Sequence, residues 1–280
     1  MNLLAEAKRL LSRRIFANRR RLKIIDGKID LQTVYLQAIL AKLGPQAGLE
    51  QCPTSGRWRL ADYKGFTLLL DSEGLVDRYL LGPGRWEHEQ IEFLFSPLTN
   101  GDVSGDCVFL DIGAYFGLYA FEALAHPCFS SVHAFEANPV NFAQLTANWL
   151  LNSGGEGRLH IQHRVVTDRQ GFSHSITPRA TNRGMARITP SAANDGVPHL
   201  VLDDVFHDDA PIYFCKIDVE GHEPAVLEGM KKLLQAARFF LQIEILQGNR
   251  EKVMLWMRQA GYRKVHEIQE DYYFTNIPSL

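Results

Sequence analysis

The feature that most constrains the fold is the segment Val108–Gly117, VFLDIGAYFG. Apolar residues lead to an aspartate, glycines follow at positions 113 and 117, and an apolar helical pattern begins at once. A buried strand, a tight turn and a helix start together bring backbone N–H groups up to a nucleotide-like ligand. The segment Val132–Pro139, VHAFEANP, predicts a second strand that ends in an acid, Glu136. An acid at this place binds ribose hydroxyls in α/β nucleotide folds.

The spacing of the two glycines narrows the choice of ligand. A dinucleotide site needs G-x-G-x-x-G, because its middle glycine lets the backbone touch a pyrophosphate. This chain has D-x-G-x-x-x-G, with Ala114, Tyr115 and Phe116 between the glycines. The two aromatic residues would crowd a pyrophosphate but leave room for a compact methionine-plus-adenosine ligand. The pattern therefore favours S-adenosylmethionine over NAD; the alternative is that the glycines only allow a helix to pack against a strand.

Composition favours a soluble cytoplasmic protein. None of the apolar stretches of this 280-residue chain approaches the roughly 20 residues that span a bilayer. Basic residues interrupt the leucines at the start of the chain, which argues against a signal-peptide core. The 4 cysteines are scattered without a C-x-x-C pair, so neither a zinc site nor a disulfide framework is indicated.

Charge is distributed unevenly along the chain. Residues 1–23 hold eight basic residues and one acidic residue, whereas the formal net charge of the whole chain is -2. The leucines of this segment follow helical spacing, which predicts a basic amphipathic helix. The helix either packs on its own acidic domain or on a second subunit of a homo-oligomer, or it adsorbs to the anionic inner face of a membrane; an organelle presequence is a lesser alternative. Nucleic acid is disfavoured as a partner because the acidic body of the protein would repel phosphates.

The order of predicted elements divides the chain in two. Residues 1–104 predict an accessory region with the basic helix, a second helix, short strands at Arg57–Leu60 and Phe66–Leu70, and a helix over Gly84–Leu94. Residues 105–280 alternate strands and helices, which is typical of an α/β domain with a mostly parallel sheet. The strands predicted there are Val108–Asp111, Ser131–Phe135, Leu159–Val166, Tyr213–Asp218, Phe239–Ile245, Arg263–Ile268 and Tyr272–Asn276. The last two form a hairpin, whereas NAD-binding folds usually end on a parallel strand.

Several motifs are spaced along the same part of the chain. They are RWEHE at Arg85–Glu89, LDIGAYFG at Leu110–Gly117, FEANP at Phe135–Pro139, Asn148, VVTDRQG at Val165–Gly171, LDD at Leu202–Asp204, KIDVEGHE at Lys216–Glu223 and IEI at Ile243–Ile245. Together they resemble the FkbM family of S-adenosylmethionine-dependent methyltransferases. Tyr115 stands where that family often has asparagine, and Val165 where alanine is common.

The resemblance implies a class I methyltransferase fold. This fold is Rossmann-like, with a mostly parallel seven-stranded sheet that carries an antiparallel last strand at its edge. It also implies methyl transfer from S-adenosylmethionine, which becomes S-adenosylhomocysteine, to oxygen atoms. Many family members act on sugar hydroxyls of glycans, and some act on polyketides or other secondary metabolites.

On this hypothesis the donor would occupy the glycine turn and the ends of the next two strands. Backbone amides of the turn would meet the methionyl end, with Asp111 near its ammonium group unless Asp111 only caps the following helix. Glu136 would accept both ribose hydroxyls, and the turn after the third strand would touch adenine unless its acid is an ordinary turn residue. The candidate donor-binding residues are Asp111, Gly113, Ala114, Tyr115, Gly117, Glu136, Ala137, Val166 and Asp168.

The motif KIDVEGHE holds the candidate catalytic residues. Lys216 and Asp218 alternate onto one face near the end of the fourth strand, where open α/β sheets bind ligands. A buried lysine needs acidic partners, and Asp218, Glu220 and Glu244 are the available ones. Asp218, Glu220 and His222 are candidates for the base that takes the proton of the acceptor hydroxyl. In the alternative interpretation, these charged residues form a network that only stabilises the carboxyl ends of the strands.

Other residues could bind the acceptor. Arg179, Arg183 and Arg187, in a long polar connection over Phe172–His199, could grip an acidic or phosphorylated glycan, unless this segment is simply a solvated loop. Glu244 is a further candidate for acceptor binding. We expect no metal, although Asp218 and Glu244 could hold a magnesium ion as the alternative.

The glycine spacing thus predicts a protein that binds S-adenosylmethionine, and the resemblance implies an O-methyltransferase for a saccharide, a glycan or a related hydroxylated small molecule. A nicotinamide oxidoreductase is disfavoured by the glycine spacing and the terminal hairpin. The alternative of another class is a non-catalytic module that binds S-adenosylmethionine or docks on a membrane.

Overall fold

The computed structural model describes residues 57–82, 85–103, 105–152, 157–176, 187–191, 196–207 and 212–280. The predicted basic helix of residues 1–23, the second predicted helix, and Arg179 and Arg183 lie outside the described residues. The described strands are β1 (Trp58–Tyr63), β2 (Phe66–Asp71), β3 (Cys107–Ile112), β4 (Phe129–Glu136), β5 (Leu159–His163), β6 (Val165–Val166), β7 (Phe172–Ile176), β8 (Arg187–Pro190), β9 (Val197–Leu200), β10 (Ile212–Ile217), β11 (Phe239–Glu244), β12 (Arg263–Ile268) and β13 (Asp271–Thr275). The described helices are α1 (Leu75–Leu81), α2 (His88–Thr99), α3 (Leu118–Leu124), α4 (Pro139–Leu151), α5 (Glu223–Gly229), α6 (Lys231–Ala236) and α7 (Arg250–Gln259).

Seven strands form the main sheet, in the order β12-β13-β11-β10-β3-β4-β5. The pairs among β11, β10, β3, β4 and β5 are parallel, while β13 runs antiparallel to both of its neighbours. The predicted α/β fold with a mostly parallel seven-stranded sheet and a C-terminal antiparallel hairpin is confirmed. The predicted place of the antiparallel strand is wrong, because β13 inserts between β11 and β12 and leaves β12 at the edge.

Alternating side chains of the central strands build a core on each face of the sheet. Phe214 packs with Phe109 and Phe129 on one face. Cys215 and Ile217 pack against helix side chains on the other face. Because successive strand residues point to opposite faces, an almost wholly apolar strand such as β10 indicates burial on both sides.

Helix α4 begins where the sequence predicts it. The side chain of Asn138 accepts hydrogen bonds from the backbone N–H groups of Val140 and Asn141, and Pro139 occupies the first helical turn. This cap directs the chain away from the end of β4, where Glu136 lies.

A ladder of amides on α4 holds the N-terminal hairpin of β1 and β2. Asn152 accepts from the backbone N–H of Thr67 at 2.9 Å and donates to the carbonyl of the same residue at 2.8 Å. Asn148 accepts from the backbone N–H of Leu69, and Gln144 donates to the Leu69 carbonyl. Spacing of four residues places these amides on one helix face, so they satisfy the open edge of β2 as a neighbouring strand would.

Two predicted segments differ from the structure. Leu159–Val166 is not one strand: β5 ends at His163, and β6 pairs instead with β9 in a second sheet of order β6-β9-β7-β8. The connection from Phe172 to His199 contains strands in its described parts. Gly196 permits their close approach, because a Cβ atom at this position would lie 2.3 Å from the carbonyl oxygen of Ser173.

None of the helices in the described part of the chain is long and apolar enough to cross a membrane.

Candidate active site

A cavity of about 350 Å³ opens at the carboxyl ends of β3, β4, β10 and β11. It brings together most residues that the sequence singles out: Asp111, Gly113, Ala114, Tyr115, Glu136, Ala137, Val166, Lys216, Asp218, Glu220, His222 and Glu244 all line it. Among the candidate donor-binding and catalytic residues, Gly117 and Asp168 do not line it. The candidate donor residues and the candidate catalytic residues therefore share one site.

Gly113 lets two strand ends approach each other at this site. Its φ is +88°, and a Cβ atom at this position would lie 1.7 Å from the carbonyl oxygen of Asp218. The backbone N–H of Asp218 donates to the carbonyl of Ile112 at 2.9 Å. No side chain fits between the two strand ends, so the first glycine of the motif is required by this contact.

Gly117 acts in the helix start rather than in the cavity. It caps α3 in the left-handed conformation, with φ of +99°, and a Cβ atom would lie 2.7 Å from Cδ1 of Leu145. Gly117 does not line the cavity, so the second glycine contributes to the shape of the turn and not to the cavity surface.

Glu136 is a buried acid held by backbone donors. Its two carboxyl oxygens accept hydrogen bonds from the N–H groups of Tyr115 at 2.7 Å and Asn138 at 2.6 Å. Burial raises the pKa of Glu136 to about 7, although these two hydrogen bonds favour the charged form. The side chain thus links the glycine turn to the end of β4 and faces the cavity.

Asp111 has an unsatisfied oxygen at the same place. The residue is 2% exposed, and among the described residues its Oδ2 atom has no hydrogen-bond partner. Burial raises the pKa of Asp111 to about 7, opposed by the positive charge of Lys216 and by a hydrogen bond with the backbone of Ala120. The hydrogen bond with Ala120 supports the alternative that Asp111 caps the helix α3. Its Oδ2 atom remains available to accept a hydrogen bond from a ligand.

Lys216 is the buried cation of the site. Its Nζ atom donates to Oδ1 of Asp271 at 2.9 Å and lies 3.9 Å from both Oε2 of Glu87 and Oδ2 of Asp218. Burial alone would lower the pKa of Lys216, but these anions, Asp271 foremost, raise it well above its usual value. Lys216 is therefore charged at neutral pH. Asp218 is thus a neighbour of Lys216 as the sequence predicts, whereas the sequence pattern does not predict Asp271 or Glu87 as neighbours.

The carboxyl groups of Asp218 and Glu244 interact directly. Burial, the charge of Asp218 and a hydrogen bond with its side chain raise the pKa of Glu244 well above the usual range. A negative charge close to a carboxyl group opposes its ionisation, which is why Asp218 contributes to the raised pKa of Glu244. The two carboxyl groups line the cavity together at the carboxyl ends of β10 and β11.

The remaining candidates have separate places. His222 lines the cavity and makes a 2.9 Å hydrogen bond with Oγ1 of Thr167, and burial lowers the pKa of its imidazole. Glu220 lines the cavity in the left-handed conformation, with φ of 51°. Asp168 is exposed and accepts hydrogen bonds from Thr167 and Arg169. The hydroxyl of Tyr115 donates to Asp77 at 3.0 Å.

A buried hydrogen-bond chain connects the residues that sequence reasoning misses. Tyr119 donates to Glu87 at 2.7 Å, and Gln242 donates both to the Tyr119 hydroxyl at 2.9 Å and to Asp271 at 2.7 Å. Burial raises the pKa of Glu87, and the positive charge of Lys216 opposes that shift. The one available signal for Glu87 is its place inside the RWEHE motif.

The strand order, the glycine turn and the acid at the end of β4 define a class I S-adenosylmethionine-dependent methyltransferase fold. Residues 111–264 match the family model described as the methyltransferase FkbM domain. The chain belongs to the FkbM methyltransferase family.

Three solved structures have chain traces similar to part of this chain. The methyltransferase FkbM from Methylobacillus flagellatus KT is 15% identical with a TM-score of 0.41, and the match covers 61% of this chain and 43% of that one. TYW2 from M. jannaschii, solved in complex with AdoMet, is 13% identical with a TM-score of 0.40, covering 79% and 84% of the two chains. A SAM-dependent methyltransferase from Agrobacterium tumefaciens is 10% identical with a TM-score of 0.43, covering 80% and 71%. This chain spans less than half of the Methylobacillus structure. No curated protein matches this chain significantly.

Proposed function

We propose that this methyltransferase transfers the methyl group of S-adenosylmethionine to a hydroxyl group of a saccharide, a glycan or a related hydroxylated small molecule. The observation that carries the proposal is the shared cavity. The glycine turn and Glu136 form one part of its lining, and Lys216, Asp218 and Glu244 form another.

Polar side chains of the cavity lining match polar groups of the methyl donor. Glu136 keeps two carboxyl oxygens at the cavity, and a carboxylate accepts further hydrogen bonds beside the two that it already makes. Asp111 has a buried oxygen without a described partner, which suits a cationic group such as the donor's ammonium. When bound, S-adenosylmethionine supplies a methyl group activated by a sulfonium.

The acceptor part of the cavity suits a hydroxyl group. A sugar hydroxyl is scarcely acidic, so a base must take its proton as the new bond forms. Asp218 is the base that we favour, since it faces the cavity and lies 3.9 Å from the ammonium of Lys216. Lys216 lends positive charge to an oxygen that becomes more negative as it loses its proton.

The charge of the cavity disfavours polyanionic acceptors. Its lining includes the acids Glu87, Asp111, Glu136, Asp218, Glu220, Glu244 and Glu270, against the basic side chains of Arg164 and Lys216 and the imidazole of His222. Burial raises the pKa values of Glu87, Asp111, Glu136 and Glu244 and so reduces their negative charge, but the acids in the lining still outnumber its basic side chains, which argues against nucleic acid as the substrate. A neutral polyol instead presents the O–H donors that carboxylates accept.

Methyl transfer to defined sugars tests the proposal. The protein is incubated with methyl-labelled S-adenosylmethionine and a panel of methyl hexopyranosides, and labelled product is counted. The wild-type protein is expected to methylate at least one of them. Asp218→Asn is expected to lower kcat by about a hundredfold or more, the usual contribution of a general base, with unchanged affinity for S-adenosylhomocysteine.

Glu267→Gln is the matched control, because Glu267 is exposed on β12 and does not line the cavity. A protein that binds the donor but methylates none of the glycosides would contradict the choice of acceptor. Equal kcat values for Asp218→Asn and the wild type would contradict the choice of base.

A further inference from the structure

Glu87 stands out as a cavity residue with an uncommon backbone. It precedes α2 with φ of 47° and ψ of 38°, in the left-handed region that non-glycine residues rarely adopt. The sequence predicts a helix already from residue 84, but this conformation delays the start of α2 to His88. A strained residue persists only when its surroundings hold it, and such residues are concentrated at functional sites.

The side chain of Glu87 is fixed in the cavity wall. Its carboxylate makes no capping bond to α2. It accepts instead from Nε1 of Trp86 and from the hydroxyl of Tyr119, both at 2.7 Å, and all three residues line the cavity. A carboxylate offers about four acceptor positions, so these two donors leave room for another.

Glu87 and Asp218 both lie close to the ammonium of Lys216. Oε2 of Glu87 and Oδ2 of Asp218 are each 3.9 Å from Nζ, so these two oxygens are at most twice that distance apart. Two neighbouring hydroxyl groups of one sugar ring can bridge this span by donating one hydrogen bond to each acid. Lys216 itself has three N–H donors, of which Asp271 takes one among the described contacts.

Resting on the proposed methyl transfer, we propose that Glu87 binds a second hydroxyl group of the acceptor, next to the one that Asp218 deprotonates. The site then selects molecules with two neighbouring hydroxyl groups over those with an isolated one. Glu87 lies outside the residues that match the family domain, which are 111–264. The segment before that domain would therefore contribute to the choice of substrate.

The test pairs a change in the protein with a change in the substrate. The methyl hexopyranoside that the wild-type protein methylates best is compared with its analogues that lack one hydroxyl beside the methylated position. Initial rates with labelled S-adenosylmethionine give kcat/KM for each. For the wild type, loss of the hydroxyl that faces Glu87 is expected to lower kcat/KM by tenfold or more, the usual effect of a hydrogen bond to a charged group.

For Glu87→Ala, kcat/KM with the parent glycoside is expected to fall by about the same factor. With the deoxy analogue, kcat/KM should be nearly the same for Glu87→Ala as for the wild type. Glu87→Gln should recover part of the discrimination, because its amide oxygen still accepts a hydrogen bond. Glu89→Ala is the control, since Glu89 belongs to the same motif but is exposed on α2. Affinity for S-adenosylhomocysteine is measured for each variant to verify the donor site.

The outcomes separate the two proposals. Methyl transfer by the wild type, with Glu87→Ala or Glu87→Gln discriminating between parent and deoxy sugar as strongly as the wild type, overturns the role of Glu87 alone. If the wild type binds S-adenosylhomocysteine but methylates none of the glycosides, the proposed function falls, and this inference falls with it. If Glu87→Ala does not fold, the comparison rests on Glu87→Gln, which preserves the shape of the side chain.

Discussion

Nζ of Lys216 lies 2.9 Å from Oδ1 of Asp271, although 55 positions of sequence separate the two residues. The contact exists because β13 inserts beside β11 and begins at Asp271, directly opposite Glu244. Gln242 donates to the same oxygen of Asp271 at 2.7 Å. The last strand of the fold therefore supplies the main counter-ion of the buried lysine.

Loss of this counter-ion should destabilise the protein strongly. Asp271→Asn leaves a buried ammonium whose two other anions are 3.9 Å away, and breaking a buried ion pair on one side costs about 3–5 kcal/mol. Urea denaturation should show a fall of this size in the free energy of unfolding. The double variant Lys216→Met/Asp271→Asn should recover part of it, because the unpaired charge is gone.

The ion pair of Lys264 and Glu267 on β12 is the matched control. It is also short, at 2.7 Å, but both side chains are about a third exposed. Glu267→Gln should leave the free energy of unfolding nearly unchanged, as is usual for surface pairs. Equal effects at the buried and the exposed pair would contradict the account of Lys216.

Gly113→Ala should disrupt the site, whereas Gly65→Ala should not. The two glycines have nearly the same φ, +88° and +85°, so the backbone strain of an alanine is the same. Only Gly113 faces an obstacle, the Asp218 carbonyl oxygen at 1.7 Å from the added Cβ, while nothing lies within 4 Å at Gly65. We expect about 1–2 kcal/mol of destabilisation at Gly65 and substantially more at Gly113, with loss of binding to S-adenosylhomocysteine.

Thermal unfolding and a binding titration of both glycine variants check this prediction. A Gly113→Ala protein as stable as Gly65→Ala would show that β3 and β10 can separate at no cost, contrary to the structure.

The raised pKa of Glu136 makes stability depend on pH in a defined direction. Its pKa rises from 4.5 to about 7 through burial, so the folded protein binds the proton more tightly than the unfolded chain. The stability advantage of wild type over Glu136→Gln should therefore shrink as pH rises from about 4.5 to about 7, by roughly 3 kcal/mol in all, and stay constant above.

The quantity to compare is the difference in the free energy of unfolding between wild type and Glu136→Gln, because other titrating groups contribute equally to both proteins. Denaturation curves at several pH values and constant ionic strength give it directly. A difference that is flat with pH, or that grows as pH rises, would contradict the assignment of a buried acid with raised pKa.

The local part of the site could be predicted from the sequence. The strand before Gly113, the acid that ends β4 and the cap at Asn138 follow from patterns a few residues long, and the structure has all three. Lys216 in an apolar strand likewise predicts a buried cation that needs acids.

The site residues that the sequence does not predict come from segments far from the glycine turn in sequence. Asp271 reaches Lys216 only through the insertion of β13, and the sequence pattern predicts the start of this strand one residue later. Glu87 belongs to a segment for which the pattern predicts a helix, and its left-handed backbone has no local signal such as glycine or asparagine. Such contacts depend on tertiary packing, which periodicity does not encode.

Calorimetric titration with S-adenosylmethionine tests the central claim most directly, since the claim is that the cavity between Gly113 and Glu136 binds the methyl donor. Wild-type protein is expected to bind one equivalent with micromolar affinity, NAD is expected to give no heat, and Glu136→Gln should bind the donor about ten- to a hundredfold more weakly. Glu267→Gln, which changes an exposed acid outside the cavity lining, should bind as wild type does. A folded wild-type protein that does not bind S-adenosylmethionine, or a Glu136→Gln variant with unchanged affinity, would contradict the account.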